Sequence, residues 1–393
     1  MSVSDRWLLP DGVQDILPPA AARIEKLRRS LLDSWQRWGY QLIVPPMIEY
    51  LESLLTGTGN DLDLQTFKLT DQLTGRMMGI RADMTPQAAR IDAHSLRNTG
   101  LTRLCYAGEV LHTRPTSLLN GRAPLQAGCE LFGSADLSAD LEVMDLMLGT
   151  LRQAGVEKVH LDLAHVAIYR ELTQAAGLDA ATEAAVFDAM RRKSIPELKE
   201  LLGDAAEVSA AGCLLRLARL AGGPEVLAEA RAILKGGSEA LIKGLDELEQ
   251  VADRVTARHP GVDIGFDFCE LRGYNYHTGL VFAAYVGGHG QAVAQGGRYD
   301  AVGRDFGRAR PATGFSADLR VLAQITESSE PATAGAIWAP EEGPEGLDQA
   351  VAQWREKETV IQALAGDDSD PKALGCDREL VYQDGQWQVR PLA

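Results

Sequence analysis

A change of character along the chain constrains its fold more than any single motif. Strand-like segments run to about residue 166 and return at residue 262, whereas residues 167–258 are rich in alanine and leucine and show helical periodicity. The strand segments on either side read as antiparallel neighbours, such as the hairpin in residues 66–85. We therefore predict an α+β fold, an antiparallel sheet flanked by helices and interrupted by a helical insertion, rather than a doubly wound parallel sheet.

The chain of 393 residues is long enough for two or three domains. We predict a core domain over residues 1–326, which contains the helical insertion at 167–258. A linker at 327–335 follows from its composition, "ESSEPATAG". Residues 336–393 then show the pattern of a small C-terminal α/β domain, which ends in a hairpin whose turn is Asp384–Gly385.

Composition argues against several classes of function. The formal net charge is −16 and no stretch clusters lysine and arginine strongly, so we expect no nucleic-acid partner. No apolar run approaches the roughly 20 residues of a membrane span, so we expect no membrane association. The five cysteines occur singly, mostly in apolar contexts and without metal-ligand spacing. This indicates buried thiols in a reducing compartment, the cytoplasm, and no metal site.

Two clusters of polar residues accompany predicted strands. In "RADMTPQ", Asp83 and Thr85 alternate on one face of an extended chain and could share a pocket, although Thr85 before a proline is equally suited to cap a helix. In "QAGCE", Gln126 and Glu130 lie on one face of a strand, an arrangement that suits a small ligand with an amino group. The alternative for this second pair is a solvent-facing strand edge.

A third cluster, "ELRGYNYHTG", concentrates aromatic and hydrogen-bonding side chains between two strands. Arg272 beside a glycine is accessible to a carboxylate, and Tyr276 and His277 add polar aromatic groups. Such density is unusual for a plain core, so a binding site is favoured over a structural role. The glycine-rich run after it lacks the spacing of a phosphate-binding loop.

Taken in chain order, these pieces resemble the catalytic core of class II aminoacyl-tRNA synthetases, and histidyl-tRNA synthetase in particular. The resemblance covers roughly residues 8–325 and rests on the following segments: "LLPDGVQDILP", "WQRWGYQLIVPPMIEY", "IRADMTPQAAR", "YAGEVLHTRP…LQAGCELFG", "LRGYNYHTGLVF", "GGRYDAVG" and "ATGFSADLRVL". It implies a dimer-forming first motif and a histidine pocket. The residues that match the pocket are Asp83, Thr85, Gln126, Glu130, Arg272 and Tyr276, with His277 where a tyrosine is usual.

The sequence differs from the synthetases at the residues with which they bind ATP. His112 stands at the position of the arginine in the second motif, and Arg114 fits only if the loop shifts by two residues. In the third motif, Val321 replaces the arginine, Arg320 the glutamate and Asp318 the glycine. Adenylyl transfer needs cations on the phosphates, so we expect ATP use to be lost. The short, acidic C-terminal domain likewise lacks the size and basic face of an anticodon-binding domain.

A synthetase-like core domain that keeps the histidine pocket but lacks the ATP-binding arginines resembles the regulatory subunits of ATP phosphoribosyltransferase. This resemblance implies a protein without catalytic residues or cofactor. It also implies self-association, a hetero-oligomer with the short-form catalytic subunit in the first step of L-histidine biosynthesis, and L-histidine as effector. Two alternatives remain at this point: a truncated synthetase-like enzyme that adenylates an amino acid, and an amino-acid sensor with another partner.

Overall fold

The computed structural model describes residues 7–56, 60–115, 121–203, 205–271, 276–300, 302–304, 306–326, 335–366 and 368–392. The chain divides into two compact units, Met1–Ser328 and Ser329–Ala393. Nearly all of the linker predicted at 327–335 lies outside the described residues. The domain limits at 326 and 336 therefore stay predictions.

The first unit contains a large central sheet and a small one. Its strands are β1 (Gln41–Leu42), β2 (Ile48–Tyr50), β3 (Phe67–Thr70), β4 (Met77–Ile80), β5 (Thr102–Glu109), β6 (Leu125–Phe132), β7 (Val159–His165), β8 (Ala221–Gly222), β9 (Val262–Asp267), β10 (Leu280–Tyr285), β11 (Ala294–Arg298) and β12 (Ala312–Asp318). Nine of them form the sheet β1-β5-β6-β12-β11-β10-β7-β9-β8, and three form the sheet β2-β4-β3. The pairs β1–β5 and β7–β9 are parallel and the others are antiparallel. The predicted α+β class is confirmed.

Helices cover the large sheet and build the insertion. Those of the first unit are α1 (Ala20–Arg37), α2 (Leu51–Leu54), α3 (Asn60–Gln65), α4 (Thr85–Arg90), α5 (Leu137–Gln153), α6 (Val166–Ala175), α7 (Ala180–Arg191), α8 (Ile195–Leu202), α9 (Ala210–Leu217), α10 (Glu225–Ile233), α11 (Glu239–Arg258) and α12 (Leu319–Ile325). A π-helical segment, Ile91–Leu96, continues α4. Among the described residues, no helix is both long enough and apolar enough to cross a bilayer.

The insertion follows from the strand order. Because β7 and β9 are parallel neighbours, the chain must cross back over the sheet between them, which requires a long connection. Helices α6 to α11 provide it, and side chains of Asp179, Ser209 and Ser238 cap three of them. The insertion is not purely helical, since its two-residue strand β8 adds to the sheet edge beside β9.

Packing against the sheet places α1 and α5 on its core side. Trp35 of α1 donates a hydrogen bond from Nε1 to Thr150 Oγ1 at 3.0 Å and meets Phe315 of β12 edge-on, with ring centroids 6.0 Å apart. The face of β5, β6 and β12 opposite this core is left to form the site described below.

The second unit is a small α/β domain. It consists of α13 (Leu347–Arg355) and strands β13 (Ala336–Ala339), β14 (Val360–Gln362), β15 (Cys376–Gln383) and β16 (Gln386–Pro391), in the order β14-β13-β15-β16. The predicted hairpin turn is present: Asp384 and Gly385 both have positive φ, as the tight two-residue turn requires.

Candidate functional site

Residues far apart in sequence meet on one face of β6. The twofold periodicity of a strand puts Gln126, Gly128 and Glu130 on the same face, as predicted. β5 and β12 flank β6, and the β4–α4 connection lies close enough to contact Gln126. The alternative of a solvent-facing edge is wrong, because β6 is a central strand.

Asp83 and Gln126 are in direct contact. The Gln126 amide donates from Nε2 to Asp83 Oδ1 at 2.8 Å and accepts the Met84 backbone N–H at 2.9 Å. The same Asp83 oxygen accepts the Thr85 backbone N–H at 2.9 Å. The Gln126 amide thus holds the turn before α4 against the sheet. The second oxygen of Asp83 has no hydrogen-bond partner among the described residues.

The choice left open for Thr85, cap or pocket, is decided by its hydroxyl. α4 begins at Thr85 without a side-chain cap. Thr85 Oγ1 instead lies 3.1 Å from the hydroxyl of Tyr106, which donates to Glu130 Oε1 at 2.9 Å. Since the phenol has one proton, Thr85 is the donor of the first bond. Thr85 therefore belongs to the same chain of hydrogen bonds as Glu130.

Glu130 is the most unusual group of the site. Its side chain is 1% exposed, and the hydroxyl of Tyr299 donates to its second oxygen. Burial raises the pKa of this carboxyl to about 8, although the hydroxyl hydrogen bonds of Tyr299 and Tyr106 act to lower it. Gly314 of β12 lies opposite, and a Cβ there would stand 1.6 Å from Glu130 Oε2, so only glycine leaves room for the carboxyl.

The cluster "ELRGYNYHTG" contributes one aromatic ring, that of Tyr276, to the surroundings of Glu130. Tyr276 packs against Tyr299 with ring centroids 4.7 Å apart, and burial raises the pKa of its phenol. His277 meets the Tyr276 ring edge-on at 5.4 Å. The structure thus places Tyr276 beside the Glu130 network and His277 one contact away. Arg272 lies outside the described residues.

Two further side chains of the candidate site could not be singled out from the sequence. Tyr106 and Tyr299 donate both hydroxyl hydrogen bonds to the Glu130 carboxyl. The only local indication is Gly128, which lies directly across from Tyr106, where a Cβ would come within 2.9 Å of its hydroxyl. Tyr299 follows the quoted glycine-rich strand, but nothing local connects it to a residue 169 positions away.

Buried ion pairs hold the segments that carry these side chains. Arg298, next to Tyr299, pairs with Asp140 of α5 at 2.7 Å. Arg310, just before β12, pairs with Asp92 in the π-helical segment after α4 at 2.6 Å. Removing one partner of such a pair leaves an uncompensated buried charge, so these pairs keep the site segments in place.

A cavity of about 640 Å³ adjoins the site. Among its lining residues are Asp83, Gln126, His112, Asp318 and Val321. His112 Nε2 donates to the carbonyl of Ala82 at 2.9 Å, which supports the turn before Asp83.

The alternative of an adenylating enzyme requires Arg114 or Arg320 to reach the ATP α-phosphate, and neither lines this cavity within the described part of the chain. Arg114 is exposed at the end of the β5 segment. The Arg320 guanidinium lies 3.6 Å from the Glu109 carboxylate instead. Asp318 accepts the Arg320 backbone N–H and so caps α12.

The fold and the site define a protein of the histidyl-tRNA synthetase type. The histidyl-tRNA synthetase family model matches residues 12–322. Histidyl-tRNA synthetase from Nostoc sp. PCC 7120 shares the fold with a TM-score of 0.75 at 18% identity, covering 98% of this chain and 97% of its own. A Bacillus halodurans structure described as an ATP phosphoribosyltransferase regulatory subunit/histidyl-tRNA synthetase has a TM-score of 0.77 at 26% identity, covering 93% of this chain and 95% of its own.

The sequence relatives show to which family within this type the chain belongs. The ATP phosphoribosyltransferase regulatory subunits of Marinobacter nauticus and Pseudomonas putida are 65% and 54% identical over the full length of both chains. The model for the ATP phosphoribosyltransferase subunit HisZ C-terminal domain matches residues 334–390. The chain belongs to the family of ATP phosphoribosyltransferase regulatory subunits. The prediction of a regulatory rather than a catalytic subunit is confirmed at the level of this family.

Proposed function

We propose that this chain activates a short-form ATP phosphoribosyltransferase catalytic subunit in L-histidine biosynthesis, and that L-histidine reverses the activation through the pocket around Glu130. One observation carries the proposal. The amino-acid pocket is assembled by continuous hydrogen bonds from Asp83 to Glu130, while the adjoining cavity receives neither Arg114 nor Arg320. This arrangement supports ligand recognition without the cations for adenylyl transfer.

The chemistry of the pocket suits histidine. The second oxygen of Asp83 offers an acceptor to an ammonium group, in a charge-assisted hydrogen bond. The Glu130 carboxyl, buried between Tyr106 and Tyr299, offers a hydrogen-bond partner to an imidazole N–H. The ring of Tyr276, stacked on Tyr299, provides an aromatic wall. The proposed ligand set is completed by Thr85, Gln126, Arg272 and His277.

Regulation follows from differential affinity. Docking biases the catalytic subunit towards its active state, and histidine opposes this only if it binds the inactive assembly more tightly. The coupling is reciprocal, so a shift of the assembly to its active state must also lower its affinity for histidine.

The test measures phosphoribosyl-ATP formation by the catalytic subunit, alone, with this chain, and with added histidine. We expect strong activation that histidine reverses. The substitution Asp83→Asn should leave activation intact and raise the half-inhibitory histidine concentration about tenfold or more, because a hydrogen bond to a charged group is lost. Asp253→Asn, at an exposed position on α11, is the matched control and should respond like the unchanged protein. Absence of activation with a folded catalytic subunit would refute the proposal.

We further propose that the protein self-associates through the edge of the large sheet formed by β1. Leu42 of β1 is 52% exposed and Val44, two residues after this strand, is 87% exposed, and as an edge strand β1 has unpaired backbone groups. A second copy would bury both the apolar side chains and the edge.

The substitution Val44→Glu is expected to shift sedimentation from dimer to monomer, because each interface would bury two unpaired carboxylates. Val208→Glu, at an equally exposed position in the insertion, is the control and should leave the dimer unchanged. A monomeric unchanged protein, or a dimer insensitive to Val44→Glu, would contradict the assignment.

A further inference from the structure

The cavity beside the amino-acid pocket is larger than that pocket needs. Its volume of about 640 Å³ falls in the range of small-molecule sites. β11 and β12 contribute Gln295 and Ser316, the β10–β11 loop contributes His289, and α7 of the insertion contributes Arg191. None of these residues belongs to the proposed histidine pocket.

Asp318 presents a carboxylate oxygen to this cavity. Its Oδ1 accepts the backbone N–H groups of Leu125 at 3.1 Å and Arg320 at 2.9 Å. Its Oδ2 has no partner among the described residues. In the sheet, Asp318 lies directly across from Gln126, which contacts Asp83. Two carboxylates therefore flank one amide on the cavity wall.

His112 lines the cavity but offers a ligand no open acceptor. Because its Nε2 lies against a carbonyl oxygen, which can only accept, Nε2 carries the proton of the neutral ring. Nδ1 is buried without a hydrogen-bond partner in the part of the chain that the structure describes, and water does not reach it. The acceptors that the cavity offers are therefore the carboxylates of Asp318 and Asp83.

Cations around the cavity are few within the described residues. The Arg191 guanidinium lies over the Phe187 ring, 5.6 Å from its centroid, and 4.0 Å from Asp188. Besides Arg191, the described lining residues with a side chain that can carry positive charge are His112 and His289. Burial raises the pKa of the Asp318 carboxyl, and this effect outweighs the backbone hydrogen bonds and the charges of Arg320 and His112, which act to lower it.

We propose that this cavity binds a small ligand bearing an ammonium or guanidinium group, which donates hydrogen bonds to Asp318, with Asp83 at the boundary to the histidine pocket. The site is additional to the proposed histidine response and does not depend on it.

The test is calorimetric titration of the full chain with agmatine, which has a guanidinium and an ammonium group but no carboxylate, and with magnesium pyrophosphate. We expect agmatine to bind and pyrophosphate not to bind. Asp318→Asn should weaken agmatine about tenfold or more, since a charge-assisted bond is lost. Asparagine remains a good helix cap, so this variant should fold. Asp253→Asn, the exposed control, should not change agmatine binding.

Glu130→Gln separates this inference from the histidine response. It should weaken histidine binding and leave agmatine binding unchanged. Equal agmatine binding by Asp318→Asn and Asp253→Asn would overturn the inference, as would no agmatine binding by the unchanged protein. Tighter binding of pyrophosphate than of agmatine would also overturn it, and so would loss of agmatine binding in Glu130→Gln, because agmatine would then occupy the amino-acid pocket.

Discussion

The substitution Gly314→Ala is expected to lower the free energy of unfolding by about 1–3 kcal/mol and to abolish the histidine response. The new Cβ would stand 1.6 Å from Glu130 Oε2 and 2.8 Å from the carbonyl oxygen of Cys129. β12 is held on both sides by β6 and β11, so Glu130 must leave its place and lose the hydroxyl bonds of Tyr106 and Tyr299. Urea unfolding and histidine titration of the same samples measure both effects.

Gly149→Ala is the matched control. A Cβ at Gly149, inside α5, meets no atom within 4 Å, and alanine favours a helix by roughly 0.8–1 kcal/mol over glycine. This control should be slightly stabilised. The double variant Gly314→Ala with Glu130→Ala should be more stable than Gly314→Ala alone, because the steric conflict is removed. Additive losses in the double variant would show that the conflict is not with Glu130.

Stability should fall as the pH rises towards about 8 because of Glu130. An ordinary glutamate has a pKa of 4.5, whereas burial raises that of Glu130 to about 8. Between these values the folded protein binds a proton that the unfolded chain has released. The free energy of unfolding therefore decreases with increasing pH by up to about 1.4 kcal/mol per unit, and this decrease ends above the folded pKa.

Glu130→Gln removes this titration while preserving the shape of the side chain. Measured by urea unfolding from pH 5 to 9, the variant should gain stability relative to the unchanged protein up to about pH 8 and run parallel to it above. Glu229→Gln, at an exposed position on α10, serves as the control and should stay parallel throughout. A difference between Glu130→Gln and the unchanged protein that is independent of pH would contradict the raised pKa.

Local patterns in the sequence predict much of this molecule. Helical periodicity locates the insertion, and alternation on a strand places Gln126 and Glu130 on one face. The hairpin within residues 66–85 and the turn at Asp384–Gly385 follow from turn residues between apolar runs. Local pattern is less reliable at element ends: α5 is capped by Asp136, whose side chain accepts the Ser138 N–H, although Ser138 is by residue type an equally good cap.

The residue types of the candidate site could also be predicted from the sequence, because the matching segments occur in the same order as in the family. The roles of the residues that replace the synthetase residues of the third motif could not be predicted. Arg320 was a candidate for contact with ATP, yet its guanidinium lies near Glu109, and Asp318 serves as a helix cap. The directions of these two side chains depend on where β5 and α12 lie relative to each other in space.

The sequence by itself determined the elements, the fold class and the family, since these depend on short-range periodicity and on motifs in order. Only the tertiary structure decided how Glu130 is buried, because its partners Tyr106 and Tyr299 come from two other parts of the chain. The register of β6 with β5 and β12 sets those contacts and the place of Gly314. Register is a property of paired strands, and no single strand encodes it alone.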